Sequence, residues 1–410
     1  MSETASHPLA SRLAPALRSR NFRLFWLAQI VSNTGAALQV VAEGWLIYDL
    51  TESTFWLGAA GFIALLPALP IALLGGLLID RVSRRKLIMA TQAGLMLQAG
   101  LFAALSLSGR LQLWHVIGLY FLFGALLAID HPARRAFLVD LVPGRDLANA
   151  VALNATIFNI AGLVGYAAAG LLIATIGAGG AMLFNAASYL APLLALAAIR
   201  IADAGRDPGR RPVGAALTEG LLTLWRQPAL LGIIGLMAVA GGLAWPVFGL
   251  MPAFAEGVLG TGSIGLGLLL AAGALGSVMG TLAVARLGAQ RRGRSLTAAA
   301  FLLPLLTIGL ARSNAVLSAA LFMIAIGLVL LVLQSLAITL VQINIPDRVR
   351  GRVMSLYSIL HAGADSGSNL IIGALAIPLG LPLALALGGA AALVFAVIVW
   401  LALPVVRGLD

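Results

Sequence analysis

The feature that most constrains this chain is a series of apolar runs, separated by short basic stretches. The hydrocarbon core of a membrane takes about 20 mostly apolar helical residues to span. Inside it only helices and closed barrels satisfy every backbone polar group. Runs of that length fall at 22–48, 54–78, 87–107, 113–131, 147–176, 181–200, 228–255, 262–285, 295–311, 315–343, 352–377 and 381–403. The pattern predicts an all-α polytopic membrane protein with twelve transmembrane helices. Composition points the same way: 61% of the residues are hydrophobic and 10% charged, where a soluble domain carries roughly a quarter charged residues. Residues 1–21 are polar and basic and the first run is too long for a signal core, so no cleavable signal peptide is expected. The chain has no cysteine, which excludes disulfides and thiolate metal sites; neither a metal nor a cofactor is expected.

The net charge of +11 would point to nucleic acid in a soluble protein, but here topology accounts for it. Of the 26 cations, 24 fall before helix 1 or after helices 2, 4, 6, 8, 10 and 12, and only Arg110 and Arg312 fall on the other side. Cytoplasmic loops carry the excess of Lys and Arg. Both termini are therefore expected in the cytoplasm of a bacterial inner-membrane protein, and no nucleic-acid partner is expected.

The chain also repeats itself. "GLLIDRVSRRK" at 76 has a worn copy, "GTLAVARLGAQ", at 280, and "LVPGRDLANA" at 141 has a counterpart, "NIPDRVRGRV", at 344. The two offsets are 204 and 203, and Gly170 and Gly373 share the second. Between the copies, residues 201–227 contain "DPGRRP", a linker composition. The expected organisation is two pseudo-symmetric six-helix bundles, 1–200 and 228–410, joined by a cytoplasmic loop. Parallel repeats of this kind place a substrate site between the halves near the midplane and alternate its access by rocking. Few His, Asp or Glu residues and no soluble lobe argue against an enzyme. A non-transporting sensor would carry an output domain that this chain does not show.

The basic loop at 76–86 carries a family resemblance. It is similar to the signature loop of the major facilitator superfamily at Gly76, Leu78, Asp80, Arg81, Arg84, Arg85 and Lys86, and departs at Ser83, where glycine is usual. "WLIYDLTES" from Trp45, "HPARRAFLVDLVPGRDLANAVALN" from His131 and "RGRVMSLYS" from Arg350 resemble the drug and siderophore exporters grouped around the enterobactin exporter. The resemblance implies a monomeric secondary transporter that exports drug-like or siderophore-like small molecules against protons. A lipid or metabolite carrier of the same fold is the alternative. Asp80 ends helix 2 opposite the start of helix 11, whose N-terminal dipole favours a nearby anion. Arg81 and Arg84 are within reach of Asp80 and of Asp130 at the base of helix 4. Gly76, Asp80, Arg81, Arg84 and Asp130 thus form the expected cytoplasmic gate, with Arg85 and Lys86 as topology anchors. Helix 5 departs from the antiporters of the superfamily. It reads "NIAGLVGYAAAG", without the usual proline, and Gly162 stands where related exporters often carry arginine. In helix 11 Ser366 stands where proline is common.

A charge at the bilayer centre is costly, so intramembrane ionisable residues are functional candidates by default. Asp365 lies 14 residues into helix 11, roughly 21 Å along it at 1.5 Å per residue. His361 is one turn below and Asn369 one turn above. The pair is either a structural ion pair or a proton or substrate site. Glu43, near the outer end of helix 1, is the second proton-coupling candidate, as a cavity group or a rim residue. Gln29, Ser32, Asn33, Gln39 and Glu43 share one face of helix 1 and are expected to line the cavity. Trp245, Phe248, Phe254 and Tyr357 offer aromatic contacts there, and Asn369 a polar one.

Overall fold

The computed structural model describes residues 15–199, 227–287 and 291–409; within the helices, the side chains of 69, 72–81, 158–159 and 347–348 lie outside the description. Among the described residues every regular element is helical. The helices are α1 (Arg20–Thr51), α2 (Thr54–Arg81), α3 (Arg84–Leu107), α4 (Leu113–Leu141), α5 (Leu147–Ser188) and α6 (Leu190–Ala198) in the first half. The second half holds α7 (Pro228–Gly249), α8 (Gly262–Arg286), α9 (Arg292–Ala311), α10 (Val316–Ile343), α11 (Asp347–Leu379) and α12 (Leu381–Ala402). Nine helical stretches among the described residues are long and apolar enough to cross a membrane. The loop expected at 201–227 lies outside the described residues up to 226.

Local sequence sets the helix ends. Ser19 caps α1 by accepting from the Phe22 N–H at 3.4 Å, and Glu52 closes it in the left-handed region at φ 48°. Gly177, at φ 76° and ψ 165°, interrupts α5, and Gly380, at φ 80°, separates α11 from α12. Both positions need a residue without a Cβ penalty at positive φ. Beyond its first two turns the α7 column is irregular, with π-helical turns at Met237–Gly241 and Phe254–Val258, in a stretch punctuated by Gly241, Gly242, Pro246 and Pro252.

One boundary differs from the expectation in a way that matters. The sequence pattern ends helix 4 at residue 131, before Pro132, whereas α4 continues through Pro132 to Leu141. Packing overrides the local break. Ala133, Phe137, Leu138 and Leu141 are buried against Phe22, Phe25, Leu87 and Ile88, and the Phe25 and Phe137 rings meet edge-on at 5.6 Å. Arg134 therefore stands on a helix, not in a loop. Arg85 also has a more definite contact than a topology anchor needs. Its guanidinium donates to the Leu196 and Ala197 carbonyls at 2.7 and 3.0 Å, capping the C-terminal end of α6.

Glycines bring the helices together. Gly124 of α4 lies against the Ala64 carbonyl of α2, and Gly276 of α8 against the Ile324 carbonyl of α10, the corresponding pair in the second half. Two further glycine contacts join the halves. Gly58 of α2 faces the Asn369 backbone of α11, and Gly170 of α5 faces Gly267 of α8. Both lie at the end of the molecule away from the described chain ends. Small residues allow such close backbone approach without help from the hydrophobic effect, which does not drive association in lipid.

Candidate functional site

Three groups of polar side chains lie inside the helical body. The first is built around Asp130, which has no exposed surface. Its carboxylate accepts from Thr91 Oγ1 at 2.6 Å and Gln92 Nε2 at 3.0 Å, both on α3, and pairs with Arg134 one turn along α4. Arg134 also donates to the Gln29 side-chain oxygen on α1. Asn33 Nδ2 donates to the Gln29 carbonyl at 2.7 Å and to its side-chain oxygen at 3.1 Å. A chain of contacts thus runs from a buried acid through a guanidinium to two amides.

The front of this chain lines a cavity of about 270 Å³. Ser32, Asn33, His131 and Arg134 supply polar groups, and Phe123, Tyr166 and Tyr189 supply rings. A fixed guanidinium against aromatic and apolar walls can hold a hydrogen-bond acceptor while the rings cover apolar surface. Asp130 stands behind Arg134 and holds it.

The second group lies further from the chain ends. Glu43 is 1% exposed and accepts from Gln39 Nε2 at 2.5 Å, from Gln98 Nε2 at 3.4 Å and from Tyr120. Gln39 in turn donates to Gln98 at 3.1 Å and accepts from Asn185, while Ser188 Oγ donates to the Asn185 carbonyl at 2.7 Å. These side chains come from α1, α3, α4 and α5 and are enclosed by them.

The third group is on α11. His361 Nδ1 and Asp365 Oδ2 are 3.0 Å apart, with side chains 24% and 16% exposed. The Tyr357 ring meets the His361 ring edge-on at 6.1 Å. Asp365 Oδ1 and the Tyr357 hydroxyl are buried atoms without a hydrogen-bond partner. Nearer the described chain ends, Gly351, Ser355, Ser358 and Ala362 form an exposed stripe, each about one turn from the next on the same helix. Towards the other end, Ser368 Oγ donates to the Gly242 carbonyl at 2.6 Å and ties α11 to the irregular part of α7.

Several expected site residues stand elsewhere than anticipated. Arg84 does not reach Asp130. It pairs with Asp140 at 3.2 Å and donates to the Ala136 carbonyl at 2.8 Å. The reason is the longer α4: Asp140 lies ten residues beyond Asp130, roughly 15 Å along a helix, and occupies the level where α3 begins. Asp130 is accordingly sealed inside the bundle and does not reach water. Gln39 and Glu43 do not line the cavity. Between Gln29 and Glu43 the helix climbs 14 residues, roughly 21 Å, so one polar face meets the cavity at one level and the closed bundle interior at another. Gln29 is 2% exposed and sits behind Asn33. Asn369 is in the seam between halves, its side chain beside Gly249 and its backbone beside Gly58. Trp245 packs on Phe248 with ring centroids 5.5 Å apart. The backbone at Gly76, Asp80 and Arg81 is helical, but their side chains lie outside the described residues.

Sequence reasoning missed Arg134, Gln92, Gln98, Asn185, Tyr120 and Tyr166. Gln92 and Gln98 carried a usable signal, since two amides six residues apart within an apolar span need partners. Arg134 was hidden by its reading as a loop cation. Among the described residues no three His, Cys, Asp or Glu side chains come together as a metal site.

The profile of the transmembrane secretion effector family matches residues 10–409. Among curated proteins, the multidrug efflux pump Tap of Mycolicibacterium fortuitum is 26% identical over 375 residues, covering 87% of this chain and 90% of Tap. The enterobactin exporter EntS of Shigella boydii is 26% identical over 369 residues, covering 86% of this chain and 85% of EntS. Among solved structures, the nucleoside transporter NupG superposes with a TM-score of 0.74 at 10% identity, covering 94% of this chain and 100% of NupG, a likeness of fold.

Proposed function

Because the chain belongs to the transmembrane secretion effector family of the major facilitator superfamily, whose members are multi-pass membrane transporters and not enzymes, we propose that it exports bulky amphiphilic small molecules, drug-like or siderophore-like, across the bacterial inner membrane in exchange for protons. The carrying observation is the cavity in which Arg134 and Asn33 face Phe123, Tyr166 and Tyr189, alongside a partly exposed His361–Asp365 pair on α11. The efflux activities named for Tap and EntS favour the same substrate class.

In this reading, residues 1–200 and 228–410 are two six-helix bundles of a twelve-span monomer, and residues 201–227 are the cytoplasmic linker. The basic loops put both termini in the cytoplasm. Glycine contacts then close the periplasmic side, while the exposed α11 stripe from Gly351 to Ala362 opens to the cytoplasm, an inward-open state ready to load. Asp80 and Arg81 act in the opposite state, where they close the cytoplasmic side against α11. Asp365 carries the coupling proton and His361 tunes it. Glu43, enclosed by its four helices, has a structural role.

The test uses everted membrane vesicles from cells expressing the protein. Energised vesicles should accumulate a fluorescent amphiphile such as ethidium and release protons as they do so. Absence of both accumulation and substrate-induced proton release, across amphiphilic cations and catecholate siderophores, would overturn the reading.

A further inference from the structure

We propose that the second half carries a binding site for the phosphate headgroup of an anionic membrane lipid, at the chain-terminus end of the groove between α9 and α12. A cavity of about 560 Å³ lies there, away from the transport cavity, with Arg294, Thr297, Phe301, Trp400, Pro404 and Arg407 in its walls. Its two arginines converge from different elements, Arg294 from the first turn of α9 and Arg407 from the short 3-10 helix Pro404–Gly408 that follows α12. That helix is fixed in place, since the Gly293 N–H donates to the Leu409 carbonyl at 2.9 Å and Val406 is buried beside Gly293. The Arg407 guanidinium lies 4.6 Å from the Trp400 ring, which sets its direction. Among the described residues no carboxylate lies within ion-pair range of Arg294 or Arg407; Asp410 lies outside the description.

Two cations with no acid beside them among the described residues, next to a tryptophan 41% exposed, describe a membrane-interface site. Trp belongs at the headgroup level, and basic pockets between helices on the cytoplasmic side take anionic headgroups. The groove also continues along apolar side chains. Leu305 lies one turn beyond Phe301 on α9, and Val397 one turn before Trp400 on α12, and both are exposed and apolar. A headgroup phosphate held between Arg294 and Arg407 would lay its acyl chains along those residues. A free phosphate would use only the polar end. The combination of a charged mouth and an apolar groove favours the lipid.

Native mass spectrometry of the full-length protein in detergent tests this, with phosphatidylglycerol, phosphatidylcholine and inorganic phosphate as probes. Phosphatidylglycerol should bind roughly tenfold or more tighter than phosphatidylcholine, given about one decade or less per basic residue near a membrane surface. The double variant Arg294→Gln/Arg407→Gln should lose that preference while phosphatidylcholine binding stays as it was. Raising the ionic strength should weaken the preference in the unmodified protein, which needs no variant to fold. Equal binding of the two lipids, or an unchanged preference in the double variant, would overturn the proposal. Displacement of phosphatidylglycerol by inorganic phosphate at the same concentration would overturn it too, by identifying a site for the free anion.

Discussion

The Thr54 hydroxyl donates to the Gly373 carbonyl at 2.8 Å, joining the first turn of α2 to α11 across the two halves. A second hydroxyl, on Ser263 of α8, donates to the Gly170 carbonyl of α5 at 3.3 Å. The two acceptors are the glycines related by the 203-residue repeat. One device therefore appears twice, in each case a hydroxyl near the start of an even-numbered helix meeting a bare glycine carbonyl of the other half. The seam is built from backbone approach, so it tolerates no side chain at Gly58, Gly170 or Gly373.

Gly58→Leu and Gly373→Leu should prevent this end from closing. The chain has no cysteine, so a pair of spin labels, one at Glu52 and one at Gly260, can be introduced in the same molecule and their separation measured. Each variant is expected to lengthen the distance distribution and to lose transport. An unchanged distribution would mean that the glycine seam does not control closure. Thr54→Ala removes one hydrogen bond worth about 1 kcal/mol and should shift the populations only modestly.

The Asp130–Arg134 pair makes a different kind of prediction. Removing one partner of a buried ion pair costs about 3–5 kcal/mol because the other charge is left uncompensated. Arg134→Leu is expected to lower the melting temperature and the yield of folded protein more than Asp130→Asn, whose amide keeps contacts with Thr91 and Gln92. Arg134→Lys should also fail to restore transport. A single ammonium lacks the planar fork that contacts Asp130 and Gln29 together. Thermal stability by intrinsic fluorescence, with transport in parallel, checks both. Wild-type stability in Arg134→Leu would remove the pair from the structural account.

Coupling separates the two carboxyl candidates. In proteoliposomes with an imposed pH gradient, Asp365→Asn should abolish uphill transport while keeping substrate binding and downhill exchange. Glu43→Gln should retain coupling, because the amide fills the same volume and the Gln39, Gln98 and Tyr120 contacts can be remade around it. The reverse result, with coupling lost in Glu43→Gln and kept in Asp365→Asn, would move the proton site to α1 and leave the α11 pair structural.

For the cytoplasmic gate, Asp80→Asn is expected to leave a folded protein that transports poorly. Labels near Val82 and Gly351 should show the cytoplasmic ends of α2 and α11 spending more time apart. Normal transport with an unchanged distance would remove Asp80 from the gate.

What the sequence determined by itself follows from the bilayer. Without water to satisfy them, backbone groups must pair within helices, so the apolar runs alone dictate a helical membrane protein. The repeat of 203–204 residues and the cation pattern were legible for the same reason, since they are carried by local residue types. The apolar run ended helix 4 too early, at 131; burial of Phe137 and Leu138 carries α4 on through Pro132 and draws Arg134 into the helical body. Only the tertiary structure decided which polar residues meet. Gln39 and Asn33 belong to one face of α1, yet one is enclosed with Gln98 and Asn185 and the other lines a cavity. Helical periodicity fixes the direction of a side chain about its own axis. It does not contain the depth at which neighbouring helices close in or splay apart, because that is set by contacts such as Gly124 on Ala64 and Thr54 on Gly373, between residues far apart in the chain.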